Sequence, residues 1–176
     1  GKDLNVTTLT RGGVVEDVKT WRSPDLMFTA DRIAELIEGY GLPPSNVHVD
    51  VVGIGAGVVD RLRQRGISVE GVHYGGKPAG DWRALCGDTT FENRKAELHW
   101  VGRQLILHNK ARVPKGFSDT WKDLQRINYE YTKKGTLAIE SKAQLRKRHQ
   151  GESPDFADSW FLALSRVGAG PQVWFA

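Results

Sequence analysis

The first forty residues pass from two β-prone runs into one amphipathic stretch. Leu4–Thr10 and Val14–Trp21 are rich in β-branched residues, and Gly12-Gly13 between them suits a tight turn, so the pattern predicts a β-hairpin. Ser23-Pro24-Asp25 then forms a second predicted turn. After it, apolar residues recur at helical spacing until the glycines at 39 and 41, and this spacing predicts a helix over Phe28, Ile33, Ala34, Leu36 and Ile37.

A strand–turn–helix pattern follows at Val47–Val59. Its β-branched run carries one carboxylate, Asp50, and alternate glycines then lead into an amphipathic helix that stops at Gly66. A further β-prone run over Ile67–Tyr74 completes a βαβ unit, so we expect the two strands to be parallel and buried. Open α/β sheets bind ligands at the carboxyl ends of their strands, which makes the end of the first strand the expected place for chemistry.

The second half of the chain is mainly helical in pattern. The predicted elements are an irregular surface loop over Gly75–Asp88, a helix over Phe91–Leu107, a helix marked by Trp121, Leu124, Ile127 and Tyr131, a strand over Thr136–Glu140, a basic helix over Ser141–Arg148 and a last helix over Asp155–Leu164. The whole order, with a hairpin first and helices last, predicts an α/β fold with a mixed β-sheet flanked by helices.

Composition narrows the class of protein. A chain of 176 residues has the size of one ordinary domain, and the single Cys86 excludes an internal disulfide and fits a reducing compartment. No apolar run approaches the ~20 residues that a membrane span needs, so no membrane association is expected. The net charge of +4 mildly favours a polyanionic partner such as nucleic acid.

Three carboxylates are candidate metal ligands. Asp50 stands alone in an apolar strand, where a charge is costly to bury without a partner. In Ser153-Pro154-Asp155-Phe156-Ala157-Asp158, the serine suits a helix N-cap, and Asp155 and Asp158 fall on one face of the first turn. The helix dipole alone also favours acids there, so capping and catalysis both stay open. Oxygen-only ligands suggest two Mg²⁺ or Mn²⁺ ions, which cleave phosphodiesters by activating water.

Two other features have a structural and a functional explanation. The glycines after Asp50 match neither the dinucleotide fingerprint nor the P-loop, and they indicate a tight strand-to-helix turn. Cations cluster near the acidic pair and can form either a solvated face or a contact to a phosphate backbone. These candidate DNA-binding residues are Lys133, Lys134, Lys142, Arg146, Lys147 and Arg148.

Four motifs together resemble the nuclease domain of the large terminase subunit of tailed phages. The motifs lie at Asp50–Leu62, Phe91–Trp100, Leu137–Lys142 and Ser153–Asp158. The resemblance implies a ribonuclease-H-like mixed β-sheet flanked by helices and two-metal endonuclease activity on double-stranded DNA. It implies that Asp50 is the metal ligand of the second strand and that Asp158 is the ligand on the helix. Asp155 and Asp3 then match further carboxylate positions of the family and its resolvase-like relatives.

The resemblance also implies what surrounds this chain. In the family a first catalytic Asp, on a strand, and an ATPase domain precede the element that contains Asp3. We therefore expect residues 1–176 to be one nuclease domain, the C-terminal part of a longer motor protein. Its expected partners are an ATPase domain, a small terminase subunit and a portal, in the cytoplasm of an infected bacterium. Two alternatives stay open: another ribonuclease-H-like nuclease of the resolvase or transposase type, and a non-catalytic DNA-binding domain.

Overall fold

The computed structural model describes residues 4–165, which form a mixed α/β structure in two compact units. The first unit contains residues 4–5 and 20–74, and the second contains residues 6–19 and 75–165. Each unit has its own helices and short strands. Whether the two act as one domain stays a prediction.

The predicted N-terminal hairpin is confirmed. Strands β1 (Asn5–Arg11) and β2 (Val14–Trp21) pair with each other. Gly12 and Gly13 join them with φ of +56° and +76°, a conformation that residues with a side chain rarely adopt. A Cβ on Gly13 would also lie 2.5 Å from the carbonyl oxygen of Lys110. Both the backbone conformation and the lack of space therefore require glycine at position 13.

The first unit is a parallel strand pair packed with two helices. Helix α1 (Leu26–Gly39) begins where the Asp25 carboxylate accepts backbone N–H groups, and helix α2 (Gly55–Gln64) follows the glycine turn. Strands β3 (His48–Asp50) and β4 (Glu70–Val72) are parallel, with Asp50 opposite Val72. The core of this unit includes Ile33, Ile37, Val58 and Leu62.

The βαβ prediction is therefore confirmed, but the expectation that both strands are buried is wrong in part. Every residue of β3 is half-buried, and Glu70 in β4 is exposed. The reason is that each strand has only three residues and, within residues 4–165, they pair only with each other. Asp50 is thus reachable by solvent.

The second unit is mostly helical. Besides most of the hairpin, its elements are α3 (Arg83–Cys86), α4 (Arg94–Leu107), α5 (Ser118–Leu124), β5 (Tyr129–Tyr131), β6 (Leu137–Ile139), α6 (Lys142–Arg148) and α7 (Asp155–Ala163). Helices α4 and α7 pack closely because Gly102 has no side chain. A Cβ there would lie 2.6 Å from the ring of Phe161. Leu98, Val101 and Trp160 complete this part of the core.

Two sequence predictions are wrong in the second unit. The helix expected to reach Tyr131 ends at Leu124, and Tyr129–Tyr131 instead forms β5, antiparallel to β6. Apolar and aromatic residues fit both periods here, since Leu124, Ile127 and Tyr131 follow helical spacing while Tyr129 and Tyr131 alternate as in a strand, and pairing with β6 decides between them. The loop over Gly75–Asp88 is not simply a surface loop, because it contains α3 and buries Trp82.

Within residues 4–165, no helix combines the length and the apolar character that crossing a membrane requires.

Candidate functional site

Asp158 is the centre of a charged cluster in the second unit. It lies in the first turn of α7 and is only 6% exposed. Its Oδ2 is 3.1 Å from Nζ of Lys142, and its Oδ1 is 3.2 Å from Nε2 of His99 and 3.5 Å from Nζ of Lys95. Three helices, α4, α6 and α7, therefore contribute to the cluster, which we call the Asp158 cluster.

The surroundings keep Asp158 ionised. Burial favours the neutral acid, but the hydrogen bond with His99 and the nearby charge of Lys95 outweigh it and hold the pKa of Asp158 well below its usual range. Burial lowers the pKa of His99 to about 4, so the imidazole is neutral at pH 7. One carboxylate thus meets two ammonium groups, and the cluster has an excess of one positive charge.

His99 is held in place from two sides. It is 3% exposed, and its ring stacks on Phe161 with a centroid distance of 4.0 Å. In the neutral imidazole only one nitrogen carries hydrogen, and the ring can donate to Asp158 only in the tautomer that has this hydrogen on Nε2. His99 therefore orients the carboxylate without adding charge.

The N-terminus of α7 is capped from another helix. The sequence predicts Ser153 as the N-cap, and this prediction is wrong, because its hydroxyl donates to Oδ1 of Asp155 at 2.7 Å. Oδ2 of Asp123, in α5, accepts the backbone N–H of Phe156 at 3.0 Å instead. Burial raises the pKa of Asp123 to about 6, even though this hydrogen bond opposes the rise. Asp123 thus fixes the turn that carries Asp158.

The other predicted ligands have to be considered one by one. Asp155 is half-buried and bonds Ser153. Asp50 belongs to the first unit, where its Oδ1 accepts the N–H of Val52 at 3.0 Å. Asp3 lies outside the described residues. Within residues 4–165, no group of three or more His, Cys, Asp or Glu residues is arranged to hold a metal ion. The ligand set Asp50, Asp155, Asp158 and Asp3 stays a prediction.

The glycine-rich stretch after Asp50 is a tight turn, as predicted. A Cβ on Gly55 would lie 1.7 Å from the carbonyl oxygen of Asp50, so the chain can return into α2 only with glycine there. A Cβ on Gly57 would lie 2.3 Å from the side chain of Leu26, which shows that α2 packs closely on the start of α1.

A second buried acid, Glu97, lies on α4 within the Phe91–Trp100 motif. It is completely buried, and its carboxylate accepts from the N–H groups of Ala79 and Gly80, from the indole of Trp82 and from Arg94. These distances are 2.6–2.9 Å. The network ties the loop over Gly75–Asp88 to α4. In the sequence, only the polar residues Asn93, Arg94 and Glu97 of the Phe91–Trp100 motif indicate this network.

The predicted DNA-binding cations have different environments. Lys142 contacts Asp158, as described above. Arg148 forks around Glu140, with contacts of 2.5 and 3.1 Å, and also donates to the carbonyl of Arg126. Arg146 and Lys147 are exposed on α6, and Lys133 and Lys134 are exposed in the turn between β5 and β6. Arg148 thus has a structural task, whereas the exposed lysines are accessible to a polyanion.

Sequence comparison finds no relative. No protein-family model matches the chain, and no curated protein matches it in sequence.

Solved structures, in contrast, show a clear likeness in fold. A mutant nuclease domain of the large terminase subunit gp2 of bacterial virus Sf6, with manganese and beta-thujaplicinol, matches with a TM-score of 0.66 at 15% identity, over 92% of this chain and 86% of that one. The large terminase nuclease from thermophilic phage G20c with bound cobalt matches with 0.62 at 16%, over 94% and 76%. Its magnesium-bound form gives 0.57 at 15%, over 94% and 83%. The resemblance predicted from the motifs is confirmed at the level of fold.

Proposed function

We propose that this chain is the nuclease domain of a viral DNA-packaging terminase and cuts concatemeric double-stranded DNA by metal-dependent phosphodiester hydrolysis. The observation that carries the proposal is the Asp158 cluster, an ionised and almost buried carboxylate among Lys95, His99 and Lys142. The fold shared with the two phage nucleases supports it. An ATPase domain, a small terminase subunit and a portal are the proposed partners in the host cytoplasm.

The proposal includes a ribonuclease-H-like arrangement. Its supports are the opening hairpin β1–β2, the parallel pair β3–β4 and the position of Asp50 at the carboxyl end of β3. Open α/β sheets bind their ligands at the carboxyl ends of the strands, which is where Asp50 lies.

The proposed cofactor is a pair of Mg²⁺ or Mn²⁺ ions. The donor chemistry fits such cations, since Asp50, Asp155, Asp158 and Asp3 offer only carboxylate oxygens. When bound, two such ions supply an activated water and stabilise the leaving oxygen of the phosphodiester. A ligand must be deprotonated, and the depressed pKa of Asp158 meets this requirement at every physiological pH.

The protein's own groups prepare the site for a phosphate. His99 orients Asp158. Because the His99 ring is neutral, Asp158 and the two lysines set the net charge of the cluster. Because the ammonium groups of Lys95 and Lys142 outnumber the carboxylate, the cluster attracts an anion. Lys142 has a side chain that is 44% exposed, so it can contact a phosphate at the surface.

The test is nicking of supercoiled plasmid by the wild type and by Asp50→Asn and Asp158→Asn, with Asp88→Asn as an exposed control on the loop after α3. We expect Mn²⁺- or Mg²⁺-dependent nicking that both site variants lose and the control keeps. Equal cutting in the presence of a chelator, or by the Asp158 variant, would show the mechanism to be wrong.

A non-catalytic DNA-binding domain is the second candidate. The observation that favours it is the positive excess of the Asp158 cluster, together with the absence of a three-ligand group among residues 4–165. Salt-sensitive DNA binding without cleavage at any metal concentration would select this candidate.

A further inference from the structure

Aromatic side chains form a row on the surface of the second unit. Tyr129 and Tyr131, on β5, are 47% and 60% exposed. The ring of Tyr129 meets Trp100 of α4 edge-on at 4.8 Å, and the ring of Tyr131 meets Tyr129 edge-on at 6.4 Å. We call these three rings the aromatic row.

Both ends of the aromatic row carry positive charge. The guanidinium of Arg103 lies over the ring of Trp100, 4.8 Å from its centroid. At the other end the chain continues from Tyr131 into the turn that exposes Lys133 and Lys134. Side chains alternate along a strand, so Tyr129 and Tyr131 share one face of β5 and Glu130 points to the other. A cation thus covers the Trp100 ring at one end of the row, and two exposed lysines follow Tyr131 in the chain at the other.

An apolar cavity adjoins the row. It has a volume of about 260 Å³, and Trp100, Arg103 and Tyr129 form part of its wall. Its other walls include apolar side chains such as Trp121, Leu124 and Ile127. A volume below the ~300–1,000 Å³ of ordinary ligand pockets suits a single flat ring system better than a larger ligand.

These features favour one kind of partner. Exposed rings flanked by cations are how proteins bind unpaired nucleic acid, because each base has a face that stacks and each nucleotide carries a phosphate. Duplex DNA hides its base faces within the stack, so a row of rings gains little from it. An apolar protein partner would gain nothing from Arg103, Lys133 and Lys134 at the ends.

We propose that the aromatic row binds unpaired nucleotides of a DNA strand, with bases stacked on Tyr129 and Tyr131 and with phosphates contacted by Lys133 and Lys134. This inference rests on the proposed function, because it takes DNA as the substrate. It adds a site at which frayed or displaced strand is held during cutting.

The test measures affinity by fluorescence anisotropy in a chelator, for a labelled single-stranded oligonucleotide and for the blunt duplex of the same sequence. We expect the double variant Tyr129→Ala/Tyr131→Ala to lose at least about fivefold in affinity for the single strand. Its duplex affinity and the salt dependence of single-strand binding stay as in the wild type, because no charge is removed.

Three further variants separate stacking from charge and from unfolding. Tyr131→Phe keeps the ring and should bind as the wild type does. Lys133→Ala/Lys134→Ala should weaken binding to both DNAs and reduce the salt dependence. Tyr40→Ala removes a tyrosine that is 38% exposed in the first unit, and it should change neither affinity. Circular dichroism and the melting temperature check that each variant is folded.

The results that overturn the inference differ from those that overturn the proposed function. An unchanged single-strand affinity in the folded double variant, or equal losses for single strand and duplex, overturns the stacking site alone if the wild type still nicks plasmid. A wild type that neither binds DNA nor cuts it overturns both. Self-association that the double variant loses, without any effect on DNA, would assign the aromatic row to contacts between copies and also overturn the inference.

Discussion

Two buried acids on neighbouring helices, Glu97 and Asp158, are held in opposite ways. Glu97 accepts hydrogen bonds from two backbone amides, an indole and an arginine, all in fixed directions. Asp158 meets two lysines and a neutral histidine, and Lys142 reaches it from a partly exposed position. Backbone donors cannot leave without unfolding the loop, whereas a lysine can move to solvent. Glu97 is therefore closed to ligands, and Asp158 can exchange its partners.

Helix α4 serves both acids with different faces. Lys95 and His99, four residues apart, face Asp158, while Arg94 and Glu97, three apart, face the loop over Gly75–Asp88. Helix α4 thus connects the hydrogen-bond network around Glu97 to the Asp158 cluster. Variants at each acid test whether the distinction holds.

The largest expected effect is on stability, at Glu97. Glu97→Ala leaves Arg94 and three N–H donors without their acceptor in a buried site, which should cost about 3–5 kcal/mol of unfolding free energy. Urea unfolding measures it, with the exposed Glu130→Ala as control. A loss no larger than that of the control would show that the network does not hold the loop.

A smaller, pH-dependent effect is expected at Asp123. Its pKa is raised from 3.8 to about 6 in the folded protein, so the folded state holds the proton more tightly. The stability that this tighter proton binding gives the folded state is fully present below pH 3.8 and is lost as the pH rises through about 6. Asp123→Asn cannot ionise and still offers an oxygen to Phe156. Its unfolding free energy relative to the wild type should therefore rise by ~1–2 kcal/mol between pH 4 and pH 7.5.

Chemical unfolding at the two pH values measures this difference, and Asp119→Asn, an exposed acid on the same helix, is the matched control. A difference that does not change with pH would mean that Asp123 titrates normally.

The smallest expected effect concerns Lys142. Lys142→Met removes one positive charge 3.1 Å from Asp158, so the site should bind Mn²⁺ several-fold more tightly and DNA somewhat more weakly. Lys147→Met, on the exposed face of the same helix, should change only the affinity for DNA. Titration calorimetry measures the Mn²⁺ affinity of both variants. Equal Mn²⁺ affinities would mean that the charge of Lys142 does not influence metal binding at the site.

Local signals in the sequence predict much of this fold. The Gly12-Gly13 turn and the alternating runs give the hairpin, and the glycines after Asp50 give the βαβ unit. The failures depend on tertiary partners, one near in sequence and one distant. Tyr129–Tyr131 becomes a strand because β6 pairs with it, and α7 is capped by Asp123, 33 residues away. The carboxylate of Asp158 was a candidate from its motif, but its pairing with Lys95, His99 and Lys142 depends on how three helices pack.

The difference between the two acids is tested by Mn²⁺ binding, followed by electron paramagnetic resonance in the wild type, Asp158→Asn and Glu97→Gln at a temperature where all three are folded. If Asp158 is a metal ligand and Glu97 is not, Asp158→Asn loses Mn²⁺ binding while Glu97→Gln retains the wild-type affinity. Unchanged binding in Asp158→Asn, or equal losses in both variants, would contradict this assignment.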